Sequence, residues 1–322
     1  MPIHDLGYRH WQGERSGERQ RWWVIAQTGG KLGKNQYLAR RLVAMAWLPA
    51  LVFALAFAGM EQIAKMPELL QNTFPGQTRR QGPPDSPISA MAMGMVFSIV
   101  SREQMPADVD AMREMVWLRV FSIIARYVHG IAIVLIVATL APPLISQDVR
   151  SRAFLIYFSR PVTRGEYILG KMGTVAMFLF WATVVPALGL YVLGVALAPG
   201  FGVVLATWDI PLRILLSAAV LIIPATAVSL ALSSITTDSR VASFAWLALW
   251  GFGATAYTII WNTIRQEKSW LSPFHMFSEV QKWIFGVHSN VSAVSTELTI
   301  LAVATGVSLL ILFNRVSAPM RV

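Results

Sequence analysis

Residues 172–198 read MGTVAMFLFWATVVPALGLYVLGVALA, 27 positions in succession without a charged side chain. A helix needs about 20 mostly apolar residues to cross roughly 30 Å of hydrocarbon, so this stretch is long enough to span a bilayer. Working outward from it, five more segments qualify: 42–60, 127–146, 212–234, 241–261 and 298–313. None has a charge near its centre. Pro49, Pro142, Pro143, Pro186 and Pro224 fall inside them, a placement that membrane helices tolerate better than soluble ones. The whole chain agrees: of 322 residues, 55% are hydrophobic and 14% charged, with a mean hydropathy of +0.53. A soluble domain carries about 25% charged residues. Disorder, collagen repeats and coiled coil are excluded by the same composition. The absence of cysteine excludes disulfides, thiolate zinc sites and cysteine nucleophiles. The expected fold is an all-α polytopic membrane protein with six transmembrane helices. Residues 1–41 form a polar and basic N-terminal region, and 42–322 the membrane domain.

Charge sets the expected orientation. The chain carries 27 basic and 17 acidic residues, a net charge of +10. In a soluble protein that excess points to nucleic acid, whereas in a membrane protein Lys and Arg collect in cytoplasmic loops. With both termini cytoplasmic, segments 1–41, 147–171, 235–240 and 314–322 hold 16 basic and 6 acidic residues. The opposite-side segments hold 11 of each, so the whole excess falls on one face and no nucleic-acid partner is called for. No cleavable signal peptide is expected, because the first span begins after about 40 polar residues and reads as a signal anchor. No intramembrane charge pair suggests a proton relay.

Three regions do not span. Residues 18–38 place Trp22, Trp23, Ile25, Ala26, Gly29 and Leu32 at helical spacing, with Arg19, Arg21, Lys31 and Lys34 available for lipid headgroups. That predicts an amphipathic interfacial helix with membrane lipid as its partner, although Gly29-Gly30 weakens a helix interior by about 1 kcal/mol per glycine. Residues 61–126 form an outward insert marked by turn-rich sequence at 74–87. Residues 262–290, rich in Trp and Phe, predict short helices that re-enter the outer leaflet before the last span.

The segment that carries function is 147–171, QDVRSRAFLIYFSRPVTRGEYILGK. Asp148 reads as the start of a helix with the apolar stripe Phe154, Tyr157 and Phe158, and Pro161 ends it at Arg160. Thr163 with Glu166 three residues on is a capping box opening the next helix. The product is a rigid knuckle between the second and third spans. With Arg150, Arg152, Arg160 and Arg164 it suits docking of a soluble partner. An ordinary basic cytoplasmic loop with well-capped helices is the alternative reading.

Asp148, Arg160, Pro161, Arg164, Tyr167, Gly170 and Lys171, at this spacing between spans two and three, resemble the permeases of the type-2 ABC exporter family. So does the wider layout of a basic "elbow" helix, six spans, cytoplasmic termini and a re-entrant pair. The resemblance implies that the knuckle carries a coupling helix seated on an ABC ATP-binding subunit. It implies a second permease subunit, a copy or a paralogue, and a bacterial plasma-membrane location. It also implies a non-catalytic transport subunit without a cofactor, ATP being hydrolysed on another chain. An alternative on the same machinery is an assembly or maturation factor that acts mechanically on an extracytoplasmic client through 61–126 and 262–290.

Gly165–Met172 fits the phosphate-loop spacing Gly-x4-Gly-Lys, but Met172 stands where a magnesium-binding Ser or Thr belongs, and no buried strand precedes it. Met91, Met93 and Met95 alternate, as a Cu(I) thioether site would require if extended, or serve as flexible packing. His275, Met276, Glu279 and His288 are metal-ligand types without ligand spacing. Arg126 and His129 fit either an anionic substrate or headgroup contacts.

Overall fold

Proline and lipid shape this fold together. The computed structural model describes residues 20–34, 37–65, 91, 94–96, 98–99, 108–153, 162–200, 202–265, 268–287 and 291–317, and among them there is no strand. The amphipathic helix is α1, Arg21–Lys34. The first span starts as α2, Tyr37–Met45, breaks at Ala46-Trp47, and resumes as α3, Leu48–Lys65. Pro49 explains the break, because it has no N–H to give the Met45 carbonyl.

The second span is far longer than 127–146. Asp108 accepts from the Ala111 amide at 3.0 Å and caps α4, Val109–Ile123. A π turn, Ile124–His129, passes it directly into α5, Gly130–Arg150. The continuous span, Asp110–Arg150, has 41 residues, or about 62 Å at 1.5 Å per residue, twice the hydrocarbon thickness. The third span, α6, runs Arg164–Leu197. After the short α7, Gly202–Ala206, come α8, Asp209–Ile235, and α9, Ser239–Ile264, the fourth and fifth spans. A 3-10 turn, Ser269–Leu271, and α10, Pro273–Ile284, supply the short helices expected in the re-entrant segment before α11, Val291–Ser317, the last span. Among the described residues, six helices are thus long and apolar enough to cross a membrane.

Spans two, three and four form the core, while the first, fifth and sixth are mostly exposed along their apolar lengths. Pro142 removes the donor for the Ala138 carbonyl, and Ser243 of α9 supplies one at 3.0 Å. Ser233 of α8 donates to the Pro142 carbonyl at 2.5 Å and accepts from the Ser146 amide at 3.1 Å. The Trp246 indole donates to the Val134 carbonyl at 3.0 Å. Spans four and five are therefore stitched to the backbone of span two at its prolines.

Helix α1 packs against the start of α6. A Cβ on Gly29 would lie 2.3 Å from Thr174 Oγ1, and one on Gly170 would lie 2.6 Å from Ile25 Cβ. The glycine pair that weakens α1 as an isolated helix is what lets it approach the third span so closely, the small-residue contact by which membrane helices associate. Trp22 and Trp23 are partly exposed and meet edge to face at 5.6 Å, with the Trp22 ring flanking Gly173 of α6. Lys31 is exposed, and the Lys34 side chain lies outside the described residues.

The chain has no cysteine, so this packing is directly testable. A Cβ on Gly173 would lie 3.1 Å from Ala26 Cβ, near disulfide range. Ala26→Cys with Gly173→Cys should crosslink under mild oxidation, shown by blocked thiol labelling. Adding Gly170→Leu should abolish the crosslink and cost about 1–3 kcal/mol in unfolding.

Candidate functional site

The knuckle is built where α5 stops and α6 starts. Asp148 does not open a new helix, as its sequence context predicts. It lies in the last turn of α5, which continues past Pro142 and Pro143 to Arg150. The end is a Schellman turn: the Ala153 amide donates to Asp148 O at 3.0 Å and the Arg152 amide to Val149 O at 3.3 Å. Its left-handed position, usually glycine, is Arg152 with φ 54°. An L-residue there costs about 1–2 kcal/mol.

On the far side, Thr163 and Glu166 form the expected capping box. The Glu166 carboxylate accepts from the Thr163 amide at 2.7 Å, and Thr163 Oγ1 accepts from the Glu166 amide at 3.3 Å. Gly165–Met172 is the first part of α6, and Tyr167 and Gly170 are buried in it. The stretch with phosphate-loop spacing is thus ordinary helix whose N-terminus is capped by its own carboxylate. Phe154, Tyr157, Phe158, Arg160 and Pro161 lie outside the described residues.

Asp148 faces inward. Tyr167 donates its hydroxyl to Asp148 Oδ2 at 2.6 Å, and Lys171 Nζ approaches the same oxygen at 2.7 Å. Lys171 also donates to the Leu144 carbonyl at 2.8 Å, and its ammonium lies 5.4 Å from the Tyr167 ring centroid. The Asp148 and Lys171 side chains are only 14% and 13% exposed. Three residues that the motif marks for docking are thus a polar lock joining the ends of spans two and three. Gly170, a fourth, is the contact for Ile25 of α1. A cavity of about 370 Å³ beside the lock is lined by Thr28, Gly33, Leu140 and Gln147 with the lock residues. Arg150, Arg152 and Arg164 are exposed and make no ion pair among the described residues. The segment therefore separates into an inward structural set and an outward basic set.

The opposite end holds charges that sequence reading places in solvent. Glu61 and Arg113 are 5% and 2% exposed. Arg113 Nε donates to Glu61 Oε1 at 2.7 Å and Nη2 to Oε2 at 3.2 Å, while Nη1 holds Asp110. This bidentate pair ties span one to the head of span two, at the roots of the 61–126 insert. Arg126 donates to Ser278 Oγ at 2.8 Å, and Arg213 to the Ile284 carbonyl at 2.6 Å, so both are spent anchoring α10. His129 is buried in span two.

His275 stacks on Tyr257 at 3.6 Å, and burial lowers its pKa. Glu279 pairs with Lys282 at 2.6 Å, and His288 lies outside the described residues. The metal-ligand types of this region are thus not assembled into a site among the described residues. Met91 is exposed and Met95 half-buried, while Met93 lies outside the described residues.

Residues 39–318 match the family model described as ABC-2 family transporter protein. No curated protein matches the chain.

The lock is a measurable unit. Asp148→Asn or Lys171→Met should each cost about 1–3 kcal/mol in denaturant unfolding of the detergent-solubilised protein, since each strands a poorly exposed partner. The double variant should cost less than the sum. Strict additivity would mean that the two side chains do not act together.

Proposed function

The chain belongs to the ABC-2 family of transporter proteins, and on that premise we propose that it is one half of an ATP-driven exporter whose knuckle is the input for force. The family assignment makes it a multi-pass membrane permease subunit that works with an ATP-binding subunit. The finer reading is that two such subunits, copies or paralogues, form the pathway in a bacterial plasma membrane with both termini cytoplasmic. ATP is hydrolysed on the separate subunit, which docks on Arg150, Arg152 and Arg164 with the intervening segment 154–161.

The observation that carries this reading is the division of the knuckle into a buried lock and an exposed basic rim. A docking element must move the spans when it is pushed. The Asp148–Lys171–Tyr167 lock supports that requirement by joining spans two and three directly behind the rim. Arg152 supports it as well, since a strained left-handed arginine where glycine is easier fits a functional demand on its side chain.

A second reading, mechanical action on an extracytoplasmic client, draws support from the Glu61–Arg113 pair. It pins the roots of the insert to span two, so motion of that span would reach the insert. Solute uptake into proteoliposomes holding the complex, set against crosslinking of a client to the insert, separates the two readings.

Replacing Arg150, Arg152 and Arg164 by Glu should weaken co-purification with the ATP-binding subunit at least tenfold, because charge reversal at a docking rim adds repulsion. The unfolding midpoint should not move. Arg152→Gly should raise stability by about 1 kcal/mol through relief of the left-handed residue, yet lower permease-dependent ATPase activity. Unchanged binding and activity in both variants would remove the docking assignment.

A further inference from the structure

We propose that the start of span one binds an anionic phospholipid, with the lipid phosphate on Arg40 and Arg41 and an acyl chain along the exposed side of α2 and α3. The site needs neither the ATP-binding subunit nor a cargo, so its fate in experiment is separate from that of the docking rim.

The first observation is a charge imbalance. From Arg19 to Met60 the chain has six Lys and Arg residues and no Asp or Glu. Of these cations, Lys31, Arg40 and Arg41 are exposed and make no ion pair among the described residues. The carboxylates at the knuckle ends of spans two and three are already committed, Asp148 to Lys171 and Tyr167, and Glu166 to its capping box. The anion for these cations therefore comes from outside the chain.

Depth selects the two arginines. The uncharged run 42–60 has 19 residues, about 28 Å of helix at 1.5 Å per residue, close to the roughly 30 Å of hydrocarbon. Arg40 and Arg41 directly precede it on α2, which sets them at the level of the lipid phosphates.

The surface around them matches a phospholipid along its length. Tyr37, Arg41 and Met45 succeed one another at i, i+4 spacing, share one face of α2, and are all exposed. The Arg41 guanidinium carbon lies 4.0 Å from the centroid of the Tyr37 ring. Stacking of this kind orients the cation while leaving its in-plane N–H donors available. On the bilayer side of Arg41 the exposed Met45, Leu48, Leu51 and Val52 supply an apolar track for an acyl chain. The opposite side of α2 is closed, since Ala39 has no exposed surface and the helix packs on spans two and three.

The chemistry of the head follows. A phosphodiester presents the paired acceptor oxygens that a guanidinium fork fits. In a zwitterionic lipid the head's own ammonium offsets that phosphate. Cations left without a protein carboxylate therefore favour a lipid of net negative charge.

The test uses the full chain alone, in vesicles of phosphatidylcholine with a minor share of phosphatidylglycerol of matched chains. Native mass spectrometry of the extracted protein should show phosphatidylglycerol enriched above its share in the vesicle. Arg40→Gln with Arg41→Gln should cut that enrichment at least tenfold, the change that two cations near a lipid surface allow. Both side chains are exposed, so the unfolding midpoint in detergent should stay where it is. Arg150→Gln with Arg164→Gln removes the same charge at the knuckle and should leave the enrichment intact. No enrichment in the native chain, or enrichment that survives loss of Arg40 and Arg41, overturns the proposal. Equal loss in both double variants also overturns it, by showing diffuse attraction in place of a site. So does crosslinking between two copies through Met45→Cys with no lipid retained, which would make a second copy the occupant.

Discussion

A carbonyl freed inside a bilayer has no water to turn to, and this constraint organises the molecule. Pro142 removes the donor for Ala138 within the apolar run of the longest span, an unmet demand worth several kcal/mol in hydrocarbon. The demand is met from outside the helix, by Ser243 of the fifth span. Next to it, Ser233 of the fourth span inserts between the Ser146 amide and the Pro142 carbonyl, accepting from the first and donating to the second. The prolines that would break a soluble helix thereby become the places where other spans must attach. Because apolar surface alone gives little preference for helix over lipid, such contacts and close small-residue packing decide which spans are neighbours.

The same logic explains why the apolar run 127–146 of span two carries no Asp, Glu, Lys or Arg while ion pairs sit at the two ends of the span. At one end Asp148 shares its oxygen between Tyr167 and Lys171; at the other Glu61 takes two bonds from Arg113. Both pairs are poorly exposed, and a buried pair contributes less net stability than specificity, since desolvation offsets most of the attraction. What each pair fixes is register: span three against span two at the knuckle, and span one against span two at the insert.

Much of this was legible in the sequence, for a physical reason. Hydrocarbon thickness is a constant, so uncharged runs of about 20 residues report spans directly. The capping box at Thr163–Glu166 is a local pattern and appears as read. Long-range partnership is not local. Nothing in the linear text says that Glu61 and Arg113, 52 positions apart, leave solvent together, or that Asp148 ends a helix instead of starting one. Gly29-Gly30 reads as a defect until Thr174 and Met177 are seen to need its missing side chains. Motif residues carry a further ambiguity. Asp148, Tyr167 and Lys171 belong to the recognisable pattern, yet in this structure they hold the knuckle together, and among the described residues the exposed charge of the pattern is Arg164.

That separation shows how the knuckle is held. The excess length of span two lies on the insert side, since its apolar run 127–146 stops close to the end of α5 at Arg150. The lock joins the knuckle ends of spans two and three, and the serine contacts tie span two to spans four and five. Between the proline stitches and the Glu61–Arg113 pair lies the π turn Ile124–His129, a break in helical register of the kind that marks functional sites. Below that turn, span two is tied to three neighbours; above it, to span one through Arg113, and at the turn itself to α10 through Arg126. The knuckle end of span two therefore belongs to a bonded group of four spans, and the π turn carries its bond to α10.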